Sequence, residues 1–236
     1  MSNRPFISVL TPTYNRRNFI PTLIECFKHQ DYPQSLIEWI ILDDGTDKVE
    51  DIFNNSGLKN IHYYKEDIKR NIGSKRNKLN TYAKGDIIVC MDDDDYYPPE
   101  RISHVVNKLM ANPTYEICGS SELYLYYSDN KKIYKIGPYA PNHATNGTMA
   151  YRRSYFDTHK YDETVTHAEE TSFLNRYAVP MLQLDPFKVM LVMCHSENTF
   201  DKKRLRDEKN PMFKLTQLKL NYFIRSKKIR DFFSNA

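Results

Sequence analysis

The sequence predicts an α/β protein built on a mostly parallel, doubly wound sheet of the Rossmann type. In the first 112 residues, short β-prone runs alternate with segments whose apolar residues recur at helical spacing. This is the pattern of parallel strands joined by helices. Acidic residues directly follow two of the β-prone runs, at 43–44 and 92–95. Because ligands bind outside the carboxyl ends of the strands in such sheets, we expect a binding crevice at that edge.

Each element of the first half has a local signal. Phe19, Leu23 and Phe27 recur at helical spacing, while Gly85 suits the position after a helix and Pro99 suits a first helical turn. The strands are short runs rich in β-branched residues. In chain order we predict strand 6–10, helix 18–30, strands 37–42 and 60–64, helix 73–84, strand 86–91 and helix 99–112.

The second half contains aromatic-rich runs and is predicted to be mixed in structure. Residues 116–127 and 131–139 resemble two paired strands around a turn at 128–130. Further along we predict helix 167–177, strands 182–184 and 187–194, and a terminal helix at 211–233. We therefore expect one domain at 1–200, with halves at 1–112 and 113–200, and a helical carboxyl-terminal extension at 201–236.

The composition is typical of a soluble globular protein. Hydrophobic residues make up 40% of the chain and charged residues 27%, and no apolar run approaches the roughly 20 residues of a membrane span. Residues 1–10 contain no long apolar segment before the first strand, so a cytoplasmic location is expected. The four cysteines lack paired spacing, which predicts buried free thiols rather than disulfides or a zinc site.

Positive charge is concentrated near the carboxyl-terminal end. The net charge is +4, yet residues 201–236 carry eleven Lys or Arg against four Asp or Glu. Apolar residues are interspersed with these charges in 211–233, a composition that would suit peripheral contact with an anionic membrane. We favour packing of this segment on its own domain.

Residues 92–95 are four consecutive aspartates at the end of a predicted buried strand. Like charges this close raise one another's pKa unless a cation or hydrogen bonds hold them ionised. A hard divalent cation with oxygen ligands is the simplest partner. A solvated acidic turn closed by Pro98 and Pro99 is the alternative, and the position at a strand end favours the metal.

Several segments taken together resemble the GT-A-fold glycosyltransferases of family 2. They read ISVLTPTYNR at 7–16, IILDDGTD at 40–47, GSKRN at 73–77 and AKGDIIVCMDDDD at 83–95. The likeness continues through NGTMAYRRS at 146–154, HAEE at 167–170 and CHSENT at 194–199, and so covers residues 1–200. It implies that 1–112 binds a nucleotide and that 113–200 carries the acceptor and catalytic groups.

Such enzymes transfer a sugar from a nucleoside diphosphate to an acceptor hydroxyl, usually with inversion. The resemblance implies a nucleoside-diphosphate sugar as donor, a UDP-sugar being favoured, and a glycan or other hydroxyl-bearing acceptor. The DxD element of the family corresponds to Asp92, Asp93 and Asp94. By resemblance, Asp94 holds Mn²⁺ or Mg²⁺, Asp92 or Asp93 contacts the ribose of the sugar donor, and Asp95 supports them.

Thr13, Tyr14 and Asp44 match positions of the family around the nucleotide base. On the predicted helix 73–84, Arg76 is equally compatible with a diphosphate contact and with a solvated helix face. For Lys75 and Lys78 we favour the solvated face.

An inverting transfer needs a general base opposite the leaving group. The family usually has Glu-Asp at this point, whereas this chain has Glu169 and Glu170. We expect Glu170 to be the base and Glu169 its orienting neighbour or substitute. The alternative is that both carboxylates are only favoured by the dipole of a first helical turn. The resemblance adds His195 as a metal ligand, and mixed Asp and His ligation favours Mn²⁺ over Mg²⁺.

Two other functions compete with this prediction. A metal-dependent nucleotidyltransferase would also use acidic ligands on a similar sheet, but no Gly-rich phosphate loop lies near the amino terminus. A non-catalytic module could bind a membrane or nucleic acid through the basic residues 201–236. That function leaves the aspartate cluster without a role, so no nucleic-acid partner is expected.

Overall fold

A seven-stranded sheet forms the centre of the fold in the computed structural model, which describes residues 4–195, 198, 202, 206 and 210–235. Its strands are β1 (Ile7–Thr13), β2 (Ile37–Asp43), β3 (Ile61–Lys65), β4 (Ile87–Cys90), β5 (Ile117–Gly119), β8 (Ala150–Arg152) and β9 (Leu182–Gln183). They lie in the order β3-β2-β1-β4-β8-β5-β9.

Pairing within this sheet is mostly parallel. Strand β1 pairs in parallel with β2 and with β4, and β2 pairs in parallel with β3. Among the described strands of the sheet, β8 alone runs antiparallel to its neighbours β4 and β5. The predicted mostly parallel α/β sheet is confirmed. The carboxyl ends of β1, β2 and β4 consequently meet at one edge.

Helices cover both faces of the sheet because successive strand residues point to opposite sides. Val9 and Trp39 belong to a hydrophobic cluster with α1 and α4, whereas Leu10 and Ile40 belong to a second cluster with Leu79 of α3. The helices of the first half are α1 (Ile20–Lys28), α2 (Glu50–Asn54), α3 (Ile72–Tyr82) and α4 (Arg101–Ala111). The short helix α2 was not predicted.

A second, four-stranded sheet stands beside the acidic stretch. It consists of β6 (Leu123–Tyr127), β7 (Lys132–Ile136), β10 (Leu191–Cys194) and β11 (Phe213–Leu215), in the order β10-β6-β7-β11. The antiparallel pair β6 and β7 confirms the predicted turn at 128–130. Asp95 joins the two sheets, since its Oδ1 accepts a hydrogen bond of 2.8 Å from Met193 N of β10.

The predicted strand 116–127 is wrong as one element, because the chain changes sheets within it. Strand β5 ends at Gly119 in the central sheet, and β6 begins at Leu123 in the second sheet. Ser120 and Ser121 make the break, since Ser120 Oγ donates to Glu122 O and Ser121 N donates to Gln183 Oε1. The alternation of apolar and polar residues along the sequence does not reveal that the chain leaves one sheet and enters another.

The predicted helix 167–177 is also wrong in length. The only helical residues in this range form α6 (Glu170–Phe173), preceded in the chain by another short helix, α5 (Tyr155–Thr158). Asn175, Arg176 and Tyr177 take positive φ angles of 47°, 53° and 63°. A run of non-glycine residues in the left-handed region cannot continue an α-helix. The segment therefore turns sharply after four helical residues.

The terminal helix predicted at 211–233 is wrong as a single element. Strand β11 occupies its beginning and pairs with β7, and the helices α7 (Leu220–Phe223) and α8 (Lys227–Asn235) follow. The predicted packing of this segment on its own domain is confirmed. Ile229 and Phe233 are buried, and the ring of Phe232 meets that of Phe19 edge-on at 5.6 Å.

The predicted strand 187–194 is shorter than expected, since Pro186–Lys188 form a 3₁₀ turn and β10 begins at Leu191. All four cysteines are buried free thiols, as predicted. In the described part of the chain, no helix combines the length and apolar character needed to cross a bilayer.

Candidate active site

The crevice expected at the carboxyl ends of β1, β2 and β4 contains most of the predicted site residues. Thr13 ends β1, Asp44 follows β2, and Asp92 to Asp95 follow β4. Asn15 holds two of these strand ends together, because its side-chain Oδ1 accepts hydrogen bonds from the backbone of Thr46 and Asp47. The parallel pairing of β1 with its neighbours therefore brings these residues together at one edge of the sheet.

Asp44 is buried and held by two partners from the chain that follows it. Its Oδ1 forms an ion pair with Lys75 Nζ, and its Oδ2 accepts a hydrogen bond of 2.7 Å from Arg70 N. Lys75 Nζ also donates to Thr13 O at 3.1 Å. Lys75 is 5% exposed, so the predicted solvated position for this residue is wrong. Burial lowers the pKa of Lys75, although Asp44 opposes this shift.

The ring of Tyr14 lies at the rim of the same pocket. Two ammonium groups approach its ring centre, Lys69 Nζ at 4.1 Å and Lys75 Nζ at 5.7 Å. Thr13 is 2% exposed, and its Oγ1 makes no hydrogen bond of normal geometry among the described residues. It nevertheless lies close enough to Asp93 to lower the pKa of that carboxyl. Thr13, Tyr14 and Asp44 thus lie close together around Lys75, and their contact with a nucleotide base stays a prediction.

Arg76 connects the acidic stretch to the second half of the chain. Its Nη2 lies 2.9 Å from Asp92 Oδ1, and its Nε lies 2.7 Å from Glu169 Oε1. Arg76 and Glu169 are both buried. Burial opposes the charge of the guanidinium, but Asp92 and Glu169 together raise the pKa of Arg76 well above its ordinary value. Of the two predicted environments for Arg76, the solvated helix face is wrong.

The next two aspartates differ in how readily they ionise. Burial, with the adjacent charge of Asp94, raises the pKa of Asp93. Burial acts in the same direction on Asp94, but a hydrogen bond from His195 and the charges of Lys202 and Arg16 lower its pKa below the ordinary value. Asp94 is consequently the carboxylate that stays ionised, which is the state that a metal ligand requires.

His195 lies against Asp94 although the two residues are far apart in the sequence. His195 Nε2 is 3.3 Å from Asp94 Oδ2, and Asn198 Nδ2 approaches both atoms, at 2.9 Å and 3.2 Å. One carboxylate oxygen and one imidazole nitrogen are ligand types that suit Mn²⁺. Among the residues that the structure describes, no three His, Cys, Asp or Glu side chains form a metal-binding group.

Glu169 and Glu170 begin the short helix α6 but have different surroundings. Glu169 is paired with Arg76, whereas the side chain of Glu170 forms no ion pair or hydrogen bond with another side chain among the described residues. Burial and the neighbouring charge of Glu169 raise the pKa of Glu170 to about 7. Such a carboxyl is half ionised near neutral pH, the range in which a general base works best.

Sequence reasoning missed three residues that shape this site. Arg16 lies 3.8 Å from Asp93 Oδ1 and 3.7 Å from Asp94 Oδ2, and its position at the end of the first motif could have indicated this role. Gly147 leaves room for Asp92, because a Cβ there would lie 2.9 Å from Asp92 Oδ2. Lys202 acts on the pKa of Asp94 and Asp95 through its charge, and nothing in the sequence pattern indicated it.

Comparison with known proteins agrees with this architecture. The sequence profile of glycosyl transferase family 2 matches residues 8–177. An uncharacterized glycosyltransferase of Rickettsia typhi is 33% identical over 119 residues, which are 49% of this chain and 36% of that protein. The chain therefore spans little more than a third of the length of that relative.

Solved structures share the fold at low sequence identity. The mannosyltransferase PcManGT of Pyrobaculum calidifontis, in complex with GDP-Man and Mn²⁺, has a TM-score of 0.67 and 18% identity, covering 89% of this chain and 67% of its own. Residues 1–349 of S. aureus TarS, in complex with UDP-GlcNAc, have a TM-score of 0.62 and 19% identity, covering 81% of this chain and 59% of that one. These similarities confirm the predicted GT-A fold.

Proposed function

Because the chain belongs to glycosyl transferase family 2, we propose that it transfers a sugar from a nucleoside diphosphate to an acceptor hydroxyl with inversion. The observation that carries the proposal is the double contact of Arg76. This one guanidinium holds Asp92 on the donor side and Glu169 on the acceptor side, at 2.9 Å and 2.7 Å. It thereby joins the acidic stretch to the segment that contains Glu169 and Glu170.

Glu170 is the general base in this proposal. Its raised pKa of about 7 lets the carboxylate take the proton of the acceptor hydroxyl as that oxygen attacks the sugar. Attack from this side expels the diphosphate on the other side and inverts the anomeric centre. Glu169 orients the segment through Arg76 and keeps Glu170 close to a negative charge, which maintains the raised pKa.

Asp94 and His195 are the residues that would hold a divalent cation. Their chemistry fits Mn²⁺ or Mg²⁺, since the ionised Asp94 oxygen and the imidazole nitrogen face each other at 3.3 Å. A cation bound there would stabilise the negative charge that develops on the diphosphate as the sugar leaves. The complex of the structural neighbour PcManGT with GDP-Man and Mn²⁺ supports this assignment.

The nucleotide would occupy the pocket of Thr13, Tyr14 and Asp44. The Tyr14 ring offers a stacking surface for the base, and Lys75 fixes the Asp44 carboxylate that would hydrogen-bond to it. Asp93 and Asp92 would face the ribose. The complexes of PcManGT with GDP-Man and of TarS with UDP-GlcNAc support a nucleoside-diphosphate sugar as the donor, and we favour a UDP-sugar.

Product analysis on a panel of sugar nucleotides tests the function. UDP-, GDP- and dTDP-sugars are each incubated with the protein in Mn²⁺ or in EDTA, and the released nucleotide is identified. We expect a nucleoside diphosphate, formed by slow transfer to water, in Mn²⁺ only. The Asp94→Asn variant should lose this release, whereas Asp31→Asn, which changes an exposed aspartate outside the crevice, should keep it.

Two results would contradict the proposal. Release of pyrophosphate when the protein is instead given a nucleoside triphosphate and a sugar 1-phosphate, with no nucleoside diphosphate formed from the sugar nucleotides, would identify a nucleotidyltransferase. Absence of any product, together with no metal-dependent rise in melting temperature on adding UDP, GDP or dTDP, would exclude a nucleotide-binding site of this kind, because a ligand of the native state must raise that temperature.

A further inference from the structure

Three aromatic rings of the second half of the chain form one stack, in which the outer pair, Tyr139 and His143, is tilted by 40°. The rings of Tyr139 and His143 have centroids 4.7 Å apart, and those of His143 and Tyr177 are 4.9 Å apart at an interplanar angle of 26°. Tyr139 is 38% exposed, although it is a large aromatic residue. Burial lowers the pKa of His143, which disfavours the charged form of its imidazole.

Hydrogen bonds hold the segment that carries the two outer rings of the stack. Gln183 Nε2 donates to Pro141 O at 2.7 Å and to His143 O at 3.1 Å, and Tyr139 N donates to Ser121 O. The inner ring, Tyr177, packs against the second core cluster, whereas the outer ring of Tyr139 is exposed to solvent. Core packing therefore accounts for Tyr177 but not for Tyr139.

The inner end of the stack is connected to the segment that carries the proposed base. Tyr177 Oη lies 3.1 Å from the hydroxyl of Thr171, the residue next to Glu170. Tyr177 closes the run of three left-handed residues after α6. Such conformations cost free energy in non-glycine residues and persist mainly where they position something of use. Here they bring the Tyr177 ring against His143 and its hydroxyl against Thr171, the residue that follows Glu170.

We propose that the ring stack Tyr139–His143–Tyr177 is the acceptor subsite and that it binds a pyranose ring of a glycan acceptor against Tyr139. One face of a pyranose presents C–H bonds, which pack favourably on the electron-rich face of an aromatic ring. The hydroxyls at its edge remain free to approach Glu170. This inference rests on the proposed glycosyltransferase function, for which it specifies a cyclic sugar rather than an acyclic polyol as the group that is recognised.

Binding can be measured without any reaction. Saturation-transfer difference NMR is recorded on the wild-type protein with methyl β-D-glucopyranoside, methyl α-D-mannopyranoside and the acyclic polyol ribitol. We expect saturation on the C–H face of at least one pyranoside and none on ribitol. The Tyr139→Ala variant should weaken the pyranoside affinity about threefold to tenfold, the range typical of losing one aromatic stacking contact.

Tyr222→Ala is the matched control, because Tyr222 is 62% exposed and lies outside the stack, on α7. It should leave the pyranoside signal unchanged. In a parallel assay, the pyranoside should stimulate metal-dependent release of nucleoside diphosphate by the wild-type protein and by Tyr222→Ala, but not by Tyr139→Ala.

The two proposals fail in different ways. Three results would each overturn the acceptor subsite, whatever the activity. They are the absence of a pyranoside signal in the wild type, an equal loss of that signal in Tyr139→Ala and Tyr222→Ala, and a stronger signal from ribitol than from the pyranosides. A pyranoside signal that disappears in Tyr139→Ala, with no sugar nucleotide consumed under any condition, would uphold the subsite and contradict the transferase.

Discussion

The two sides of the crevice hold their charges in different ways. On the donor side, the carboxylates of Asp44 and Asp92 lie against Lys75 and Arg76, and Asp94 lies against His195. On the acceptor side, the described residues provide no ion-pair partner for Glu170, and the neighbouring surface is aromatic. In the part of the chain that the structure describes, one side is thus neutralised by internal ion pairs, whereas the other retains a carboxylate without an ion-pair partner.

This difference corresponds to what each side would bind. A sugar nucleotide is itself charged, so cations already positioned by buried carboxylates can bind its phosphates without reorganising. An acceptor hydroxyl is neutral and has to lose a proton, which requires an unpaired base with a raised pKa. An experiment can therefore change one side of the crevice and measure whether the other side responds.

The largest effect is expected from Glu170→Gln, which removes the base without changing its size. The rate constant of transfer should fall by about 10²- to 10⁴-fold, the usual contribution of a general base. Binding of UDP in the presence of Mn²⁺, measured by calorimetry, should be unchanged because the donor side is untouched. Glu100→Gln, an exposed glutamate, is the control. Unchanged turnover in Glu170→Gln would show that another residue is the base.

The next effect concerns stability and the contact that joins the two sides. Arg76→Met leaves the buried Glu169 and the partly buried Asp92 without their cation, so the free energy of unfolding should fall by about 3 kcal/mol. Urea denaturation provides the measurement. Arg17→Met removes an equally well-formed but exposed pair of ion pairs, to Asp47 and Asp51, and should change the midpoint little. Equal losses in the two variants would show that Arg76 has no special structural role.

The smallest effect is the pH dependence of the wild type. The base must be ionised, so kcat/KM should fall by about tenfold per pH unit as the pH drops below 7, and should level off above it. The residual activity of Glu170→Gln should not show this decrease below pH 7. A decrease in kcat/KM that is centred below pH 5 would mean that a carboxyl of ordinary pKa is the base instead.

The raised pKa of Glu170 also affects the free energy of unfolding, which depends on pH in the opposite direction to the activity. In the unfolded chain this carboxyl has an ordinary pKa of 4.5, so between 4.5 and about 7 the folded state holds the additional proton. The contribution of Glu170 to stability therefore decreases as the pH rises through this window. Glu170→Gln should flatten that part of the stability profile.

Sequence patterns predicted the donor side better than the acceptor side. The strands before Thr13, Asp44 and Asp92 are short β-branched runs, and the parallel order of such strands places their ends together. Residues 167–177 also have an apparent helical pattern, but their course depends on left-handed residues and on the contact between Thr171 and Tyr177. Periodicity does not carry that information, so the predicted helix was too long.

The ion pairs of the site could not be predicted for a related reason. Lys75 and Arg76 occupy a helix with no marked apolar face, and a solvated surface was a reasonable expectation for them. The helix α3 packs against the ends of β1 and β2, however, and this packing buries both cations. Each then needs a carboxylate partner, because an unpaired charge is costly in a buried position.

The sequence by itself determined the alternation of strands and helices, the acidic stretch at a strand end and the family of the fold, because these depend on residues close together in the chain. Tertiary structure alone decided which charges meet. Arg76 and Glu169 are 93 positions apart and Asp94 and Asn198 are 104 apart. Such contacts exist only after both sheets have packed, since burial then makes an unpaired charge unfavourable and selects the partner that lies within reach.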